Sequence, residues 1–221
     1  MNDKTYESYL KNCLSAENAV NTAFFREVAP KLLSEDGILF QREYNEALDR
    51  MGVDTLMVHD SRISYVDIKA HHGVYDKRRS NIALELETGY TQRPDKRYPG
   101  WFLSDSKITN AYAFLCWSGS KSEISDIRVS VIYRNDILKF LQSEGIDIFR
   151  WKDYLKSSPI ELSRTRVWYI KDGVSISESF VLKERPFNLV IPWERLEPYF
   201  VVDRDFHLPS QELVTAAHHI A

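Results

Sequence analysis

A chain of 221 residues with 43% hydrophobic and 28% charged residues has the composition of a globular protein able to bury a sizeable core. Its net charge of −3 excludes a protein that coats nucleic acid by bulk charge, but not an enzyme with a local basic groove. Cys13 and Cys116 alone cannot build a disulfide framework or a four-ligand zinc site, and no apolar run approaches the ~20 residues of a membrane helix. With no signal-peptide pattern at its start, the chain is expected to be cytoplasmic and to have no membrane partner.

The first predicted element is a helix from about Asp3 to Leu33, which Pro30 kinks or ends. On a 3.6-residue wheel Leu10, Leu14, Phe24 and Val28 share a face with Glu17 and Asn21. A carboxylate inside an apolar stripe is costly unless it meets a partner or a metal, which makes Glu17 a candidate site residue. The alternative has Ser15 capping a second helix with Glu17 in its first turn. Gly37 then opens a strand, Ile38–Tyr44, whose Glu43 is a lesser candidate for metal support. Asn45–Arg50 reads as a polar connection.

Gly52–Ala70, GVDTLMVHDSRISYVDIKA, predicts a hairpin: strands Val53–His59 and Ile63–Ala70 around a turn at Asp60–Arg62. A turn centred on Asp60–Ser61 sets Asp54 opposite Asp67, on one face, with Lys69 beside them. Adjacent carboxylates repel, and one takes up a proton unless a cation lies between them. Oxygen-only ligands suit Mg²⁺, with Mn²⁺ as a substitute, and Lys69 could then polarise a phosphate oxygen or the attacking water. The plainer reading is a surface hairpin with solvated ion pairs.

His71 follows on the Lys69 face, where a general-base role competes with a loop role. The window Lys69–Arg97 holds seven cations, including Arg78, Arg79, Arg93, Lys96 and Arg97, against four acids. Ile82–Tyr90 predicts a strand with Ile82, Leu84 and Leu86 inward and Glu85 as a second-tier metal candidate. Arg93–Gly100 reads as a polar loop suited to lying over a phosphate backbone, and Trp101 as a core residue. Ile108–Trp117 and Ile127–Tyr133 are apolar enough for central strands. A helix over Asp136–Glu144, an aromatic piece Phe149–Tyr154 and a hairpin around Lys171-Asp172-Gly173 follow. A short helix then begins at Ile191-Pro192-Trp193-Glu194. No glycine-rich phosphate loop and no Gly-x-Ser-x-Gly elbow supports other hydrolase chemistry.

Gly52-Val53-Asp54, followed after twelve residues by Asp67-Ile68-Lys69, resembles the motif of the PD-(D/E)XK nuclease superfamily, with Val-Asp in place of Pro-Asp. Ala16-Glu17 with Ala19 and Val20 resembles the alanine-rich helical turn in which that superfamily places a Glu. Gly100-Trp101-Phe102, Ser106-Lys107 and Ala111-Tyr112 resemble a Gly-Trp…Asp-Tyr pattern of some members, with Asn110 where an Asp is often seen. The resemblance covers roughly the first 120 residues. It implies an α/β, restriction-endonuclease-like mixed sheet flanked by helices: a helix, a three-strand meander, a helix and a strand. The second core helix is not evident between Ala70 and Ile108.

It further implies a Mg²⁺-dependent DNA endonuclease with Asp54, Asp67 and Glu17 at the metal and Lys69 assisting the nucleophile. Arg78, Arg79, Arg93, Lys96 and Arg97 would contact DNA. One domain is expected over 1–221, with its core at about 1–135 and an α+β elaboration at about 136–221; a homodimer is compatible with this. The alternative is a binding or assembly module that keeps the fold without catalysis.

Overall fold

The computed structural model describes residues 3–42, 45–72, 81–90, 93–120, 122–180 and 182–209. Within them lie five α-helices and twelve strands, arranged as two six-stranded sheets, so the protein is mixed α/β. Among the described residues no helix is long and apolar enough to cross a membrane.

The N-terminal helical segment continues past Pro30. Helix α1 (Asp3–Ala23) passes into a π-helical turn at Phe24–Val28 and then into α2 (Ala29–Asp36). Pro30 sits in the first turn of α2, where its missing N–H leaves no bond unmade, so it does not end the segment. Gly37 does: with φ of 67° it caps α2, its amide reaching the carbonyls of Leu32 and Leu33. Val20, Phe24, Val28 and Leu32 are buried, whereas Leu14, read onto the same face, is exposed. Packing begins at Ala16, two residues further on.

The first sheet runs β1-β2-β3-β6-β7-β12. Strands β1 (Leu39–Arg42), β2 (Thr55–His59) and β3 (Arg62–His72) form an antiparallel meander. Between β1 and β2 the Asn45–Arg50 stretch, read as a plain connection, contains helix α3 (Glu46–Arg50), whose first turn is capped by the Asn45 side chain. Strand β6 (Ala111–Gly119) runs parallel to β3, and β7 (Ile124–Tyr133) and β12 (Val202–His207) follow antiparallel. Both apolar runs are thus central strands, as their composition predicts. Phe40, Met57, Val66, Ile68, Ala113, Leu115, Val129 and Val131 form one core cluster with the helical residues Val20, Phe24, Val28 and Leu32.

The second sheet is antiparallel, in the order β5-β4-β11-β10-β9-β8. Its strands are β4 (Asn81–Tyr90), β5 (Arg93–Pro99), β8 (Ile160–Glu161), β9 (Thr165–Lys171), β10 (Val174–Ser179) and β11 (Phe187–Pro192). Ile82, Leu84 and Leu86 are buried, as their alternation predicts. The β9–β10 turn has Asp172 and Gly173 at positive φ, the backbone of a two-residue hairpin turn. Arg93–Pro99 is a strand rather than a loop: it pairs with β4 from Glu87↔Pro99 to Tyr90↔Arg93. Helices α4 (Arg134–Ser143) and α5 (Trp193–Leu196) and a 3-10 segment, Ile148–Lys156, accompany this sheet in sequence. Gly100 has a steric reason to be glycine, since a Cβ there would collide with the Glu85 carbonyl. Phe102 rather than Trp101 is the fully buried aromatic of that turn; Trp101 is half-buried.

The chain divides into two compact units. One comprises Met1–Tyr75, Ile108–Arg134 and Phe200–Ala221, the other Asp76–Lys107 and Asn135–Tyr199. One cut falls between Arg134 and Asn135, at the boundary read at about residue 135; the other cuts set 76–107 with the second unit and return β12 to the first sheet.

Candidate active site

The β2–β3 hairpin positions the acidic cluster. Asp60 and Ser61, with φ of 50° and 59°, make the two-residue turn closed by His59↔Arg62, and the pairing runs back to Thr55↔Val66. One step further Asp54 stands opposite Asp67. The Asp54 amide donates to the Val66 carbonyl at 2.9 Å, and its Oδ2 accepts the Ile68 N–H at 2.7 Å. The Asp54 carboxyl lies within interaction range of the Asp67 carboxyl. Lys69 Nζ lies 2.9 Å from Asp67 Oδ2.

The neighbouring strand holds this arrangement still. In the parallel β3–β6 register Asp67 lies beside Tyr112 and Lys69 beside Phe114, both fully buried. Asn110 clamps β3 just upstream: its Oδ1 accepts the Tyr65 N–H at 2.8 Å and its own N–H donates to the Tyr65 carbonyl at 3.0 Å. Asn110, where the resembling pattern often has Asp, therefore has a backbone-positioning role.

Asp67 is 6% exposed, and burial pushes its carboxyl up to about 7. The Lys69 ammonium pulls against that shift, and the Asp54 carboxylate adds to it. Glu17, partly buried on α1, is also raised by burial, opposed by Lys69 and reinforced by Asp54. Its carboxyl therefore stands within electrostatic reach of both. The chemistry is that of one buried carboxyl, Asp67, beside a half-buried one, Asp54, and one ammonium, with a third carboxyl in range.

Such a donor set fits a hard dication, since a cation between them would satisfy both carboxylates. Among the described residues, as their side chains stand, no three His, Cys, Asp or Glu groups are placed to hold a metal ion. His71 follows Lys69 on the strand, its ring stacked on Phe114 at 6.4 Å between centroids.

The described cations of the basic window are divided between the two units. Arg78 and Arg79, like Glu43, lie outside the described residues. Arg93 and Lys96 belong to β5 in the second sheet, and Lys96 is exposed. Arg97 is committed to its own sheet: Nε meets Glu87 at 2.9 Å, and its terminal nitrogens donate to the Glu184 and Arg185 carbonyls. Three of its five N–H donors are thus held within its own sheet. Glu85 likewise lies on β4 in the second sheet.

A cavity of about 260 Å³ opens beside Asp54, with Asn21, Phe25 and Arg42 in its wall. The helical wheel places Asn21 one turn after Glu17, but an amide on a helix carries no chemical signal of its own. Nothing in the residue pattern marks Arg42 or Phe25 either. No family model matches the chain, and neither a curated protein nor a solved structure matches it.

Proposed function

We propose that the first unit carries a metal-dependent nuclease site that hydrolyses DNA phosphodiester bonds. The observation that carries this reading is the meeting of the Asp54 and Asp67 carboxyls with the Lys69 ammonium at the mouth of one hairpin. Like charges buried together have little structural value unless a cation completes them. The order of elements also supports the resemblance to PD-(D/E)XK nucleases: a helix, a three-strand antiparallel meander and a strand parallel to its third member. The described residues of the crossover between β3 and β6 are strands of the second sheet instead of the core helix that the resemblance implies.

Asp54 and Asp67 would hold Mg²⁺ or Mn²⁺, with Glu17 supporting from the helix. A cation bound there supplies charge neutralisation at the phosphate and a more acidic water. With a cation held there, Lys69 would stabilise a phosphate oxygen or help ionise the attacking water. Asp54, fixed by the Ile68 amide, keeps its carboxylate oriented without a conformational search.

Incubation with plasmid, linear and branched DNA, with Mg²⁺, Mn²⁺ or EDTA, tests the reading. Cleavage that requires metal is the expected result; no cleavage of any DNA with either metal counts against it. The second reading is a DNA-binding or assembly module without catalysis. It is favoured by the absence of a ready three-ligand cluster among the described residues, and it predicts DNA binding that is indifferent to metal.

A further inference from the structure

The cavity beside Asp54 has a composition that phosphate binding does not explain. Asn21 and Phe25 come from the helical segment, Arg42 from the end of β1, and Asp49 and Glu46 from α3. Glu46 is exposed and paired with Arg50, which leaves Asp49 and Asp54 to face the Arg42 guanidinium, a net negative lining that disfavours an anion. Arg42 lies over the Phe25 ring at 5.4 Å, which gives the wall a flat, polarisable surface. Asn21 Oδ1 is buried and accepts no hydrogen bond. A buried acceptor without a donor is an energetic cost, and a bound N–H group would remove it. At about 260 Å³ the space is slightly smaller than the ~300 Å³ at which pockets for larger ligands begin, so a single planar ring system fits.

We infer that this cavity receives an amino-bearing nucleobase from a single DNA strand whose backbone phosphate lies at Asp67 and Lys69. The inference rests on the nuclease reading for the phosphate, and on the cavity for the base. Adenine and cytosine present an exocyclic amino donor to Asn21 Oδ1 and to the acidic wall. Thymine presents its only ring donor between two carbonyl oxygens, which the carboxylates repel. A base inside a duplex is stacked and paired, so the occupant must come from an unpaired strand or be everted at a cost of a few kcal/mol. The π-helical turn at Phe24–Val28 has a place in this picture, since it sets the pitch that brings Phe25 to the cavity below Asn21.

Fluorescence anisotropy with labelled dA, dC and dT homopolymers in EDTA reads the base site without cleavage. Wild type should hold dA and dC about tenfold more tightly than dT, the value of one good buried hydrogen bond. Asn21→Leu, which removes an unsatisfied acceptor and should fold normally, should erase that preference. Asn21→Asp, which keeps an acceptor oxygen, should retain it. Equal affinity for the three homopolymers, or a preference that survives in Asn21→Leu, would overturn the inference. Metal-dependent cleavage without base preference overturns the cavity alone. Base preference without cleavage under any metal leaves the cavity standing and removes the hydrolytic reading.

Discussion

At the scale of single residues, Asp67 is the group on which the chemistry turns. Its carboxyl is raised from 3.8 to about 7, with burial as the largest cause. Between those values the folded metal-free protein keeps a proton that the unfolded chain has released. Stability is therefore greatest below that window and falls as pH rises through it. Asp67→Asn removes this titration, so its stability should fall less steeply over the same range, Glu17 still contributing. The difference between the two proteins should reach on the order of a few kcal/mol near neutrality. Urea unfolding in EDTA at several pH values checks this, and parallel curves for wild type and Asp67→Asn would refute it. Metal binding at about pH 6.5 should also expel most of a proton per ion, visible as a buffer-dependent calorimetric heat that Asp67→Asn lacks.

At the scale of elements, the hairpin is the part most legible in the sequence. Its two arms alternate, Asp60-Ser61 separates them, and the turn position alone sets Asp54 against Asp67. Asp60 and Ser61 both adopt positive φ, which costs an L-residue about 1 kcal/mol or more. Ser61→Gly should therefore raise stability by about 1 kcal/mol in denaturant titration and leave Mg²⁺ affinity unchanged. An unchanged or lower midpoint would mean that the turn is not strained. Strand β5 was not legible, because Arg93–Pro99 carries two prolines and three cations and no alternation. What makes it a strand is pairing with β4 and the Arg97–Glu87 contact, both of which are tertiary. The cavity was hidden for a similar reason: Asn21, Arg42 and Asp49 are distant in sequence and meet only through the helix, β1 and α3.

At the scale of the whole molecule, the chain leaves its first unit and returns to it twice. Its pieces are far apart in sequence and meet only through sheet pairing, which a continuous reading from 1 to 221 does not reveal. The last return depends on charge. VDRDFH looks like surface, yet as β12 it pairs with β7 through Arg128, which is 4% exposed and forks onto Asp203, with Ser130 Oγ adding a bond at 2.5 Å. Asp203→Ala would leave Arg128 buried without its main partner, at a cost of about 3 kcal/mol. A thermal scan that shows no loss would remove this pair from the account of how the first sheet closes.

The decisive measurement concerns Lys69, which binds no metal in the proposed site yet touches its carboxylate at 2.9 Å. Single-turnover cleavage of a labelled DNA strand should be compared for wild type and Lys69→Ala, at saturating Mg²⁺. A pH of about 8.5 keeps Asp67 ionised in both. The variant should still bind Mg²⁺ but cleave more slowly by on the order of a hundredfold or more. Equal rates for the two proteins would contradict the assignment of chemistry to the Asp54–Asp67–Lys69 cluster.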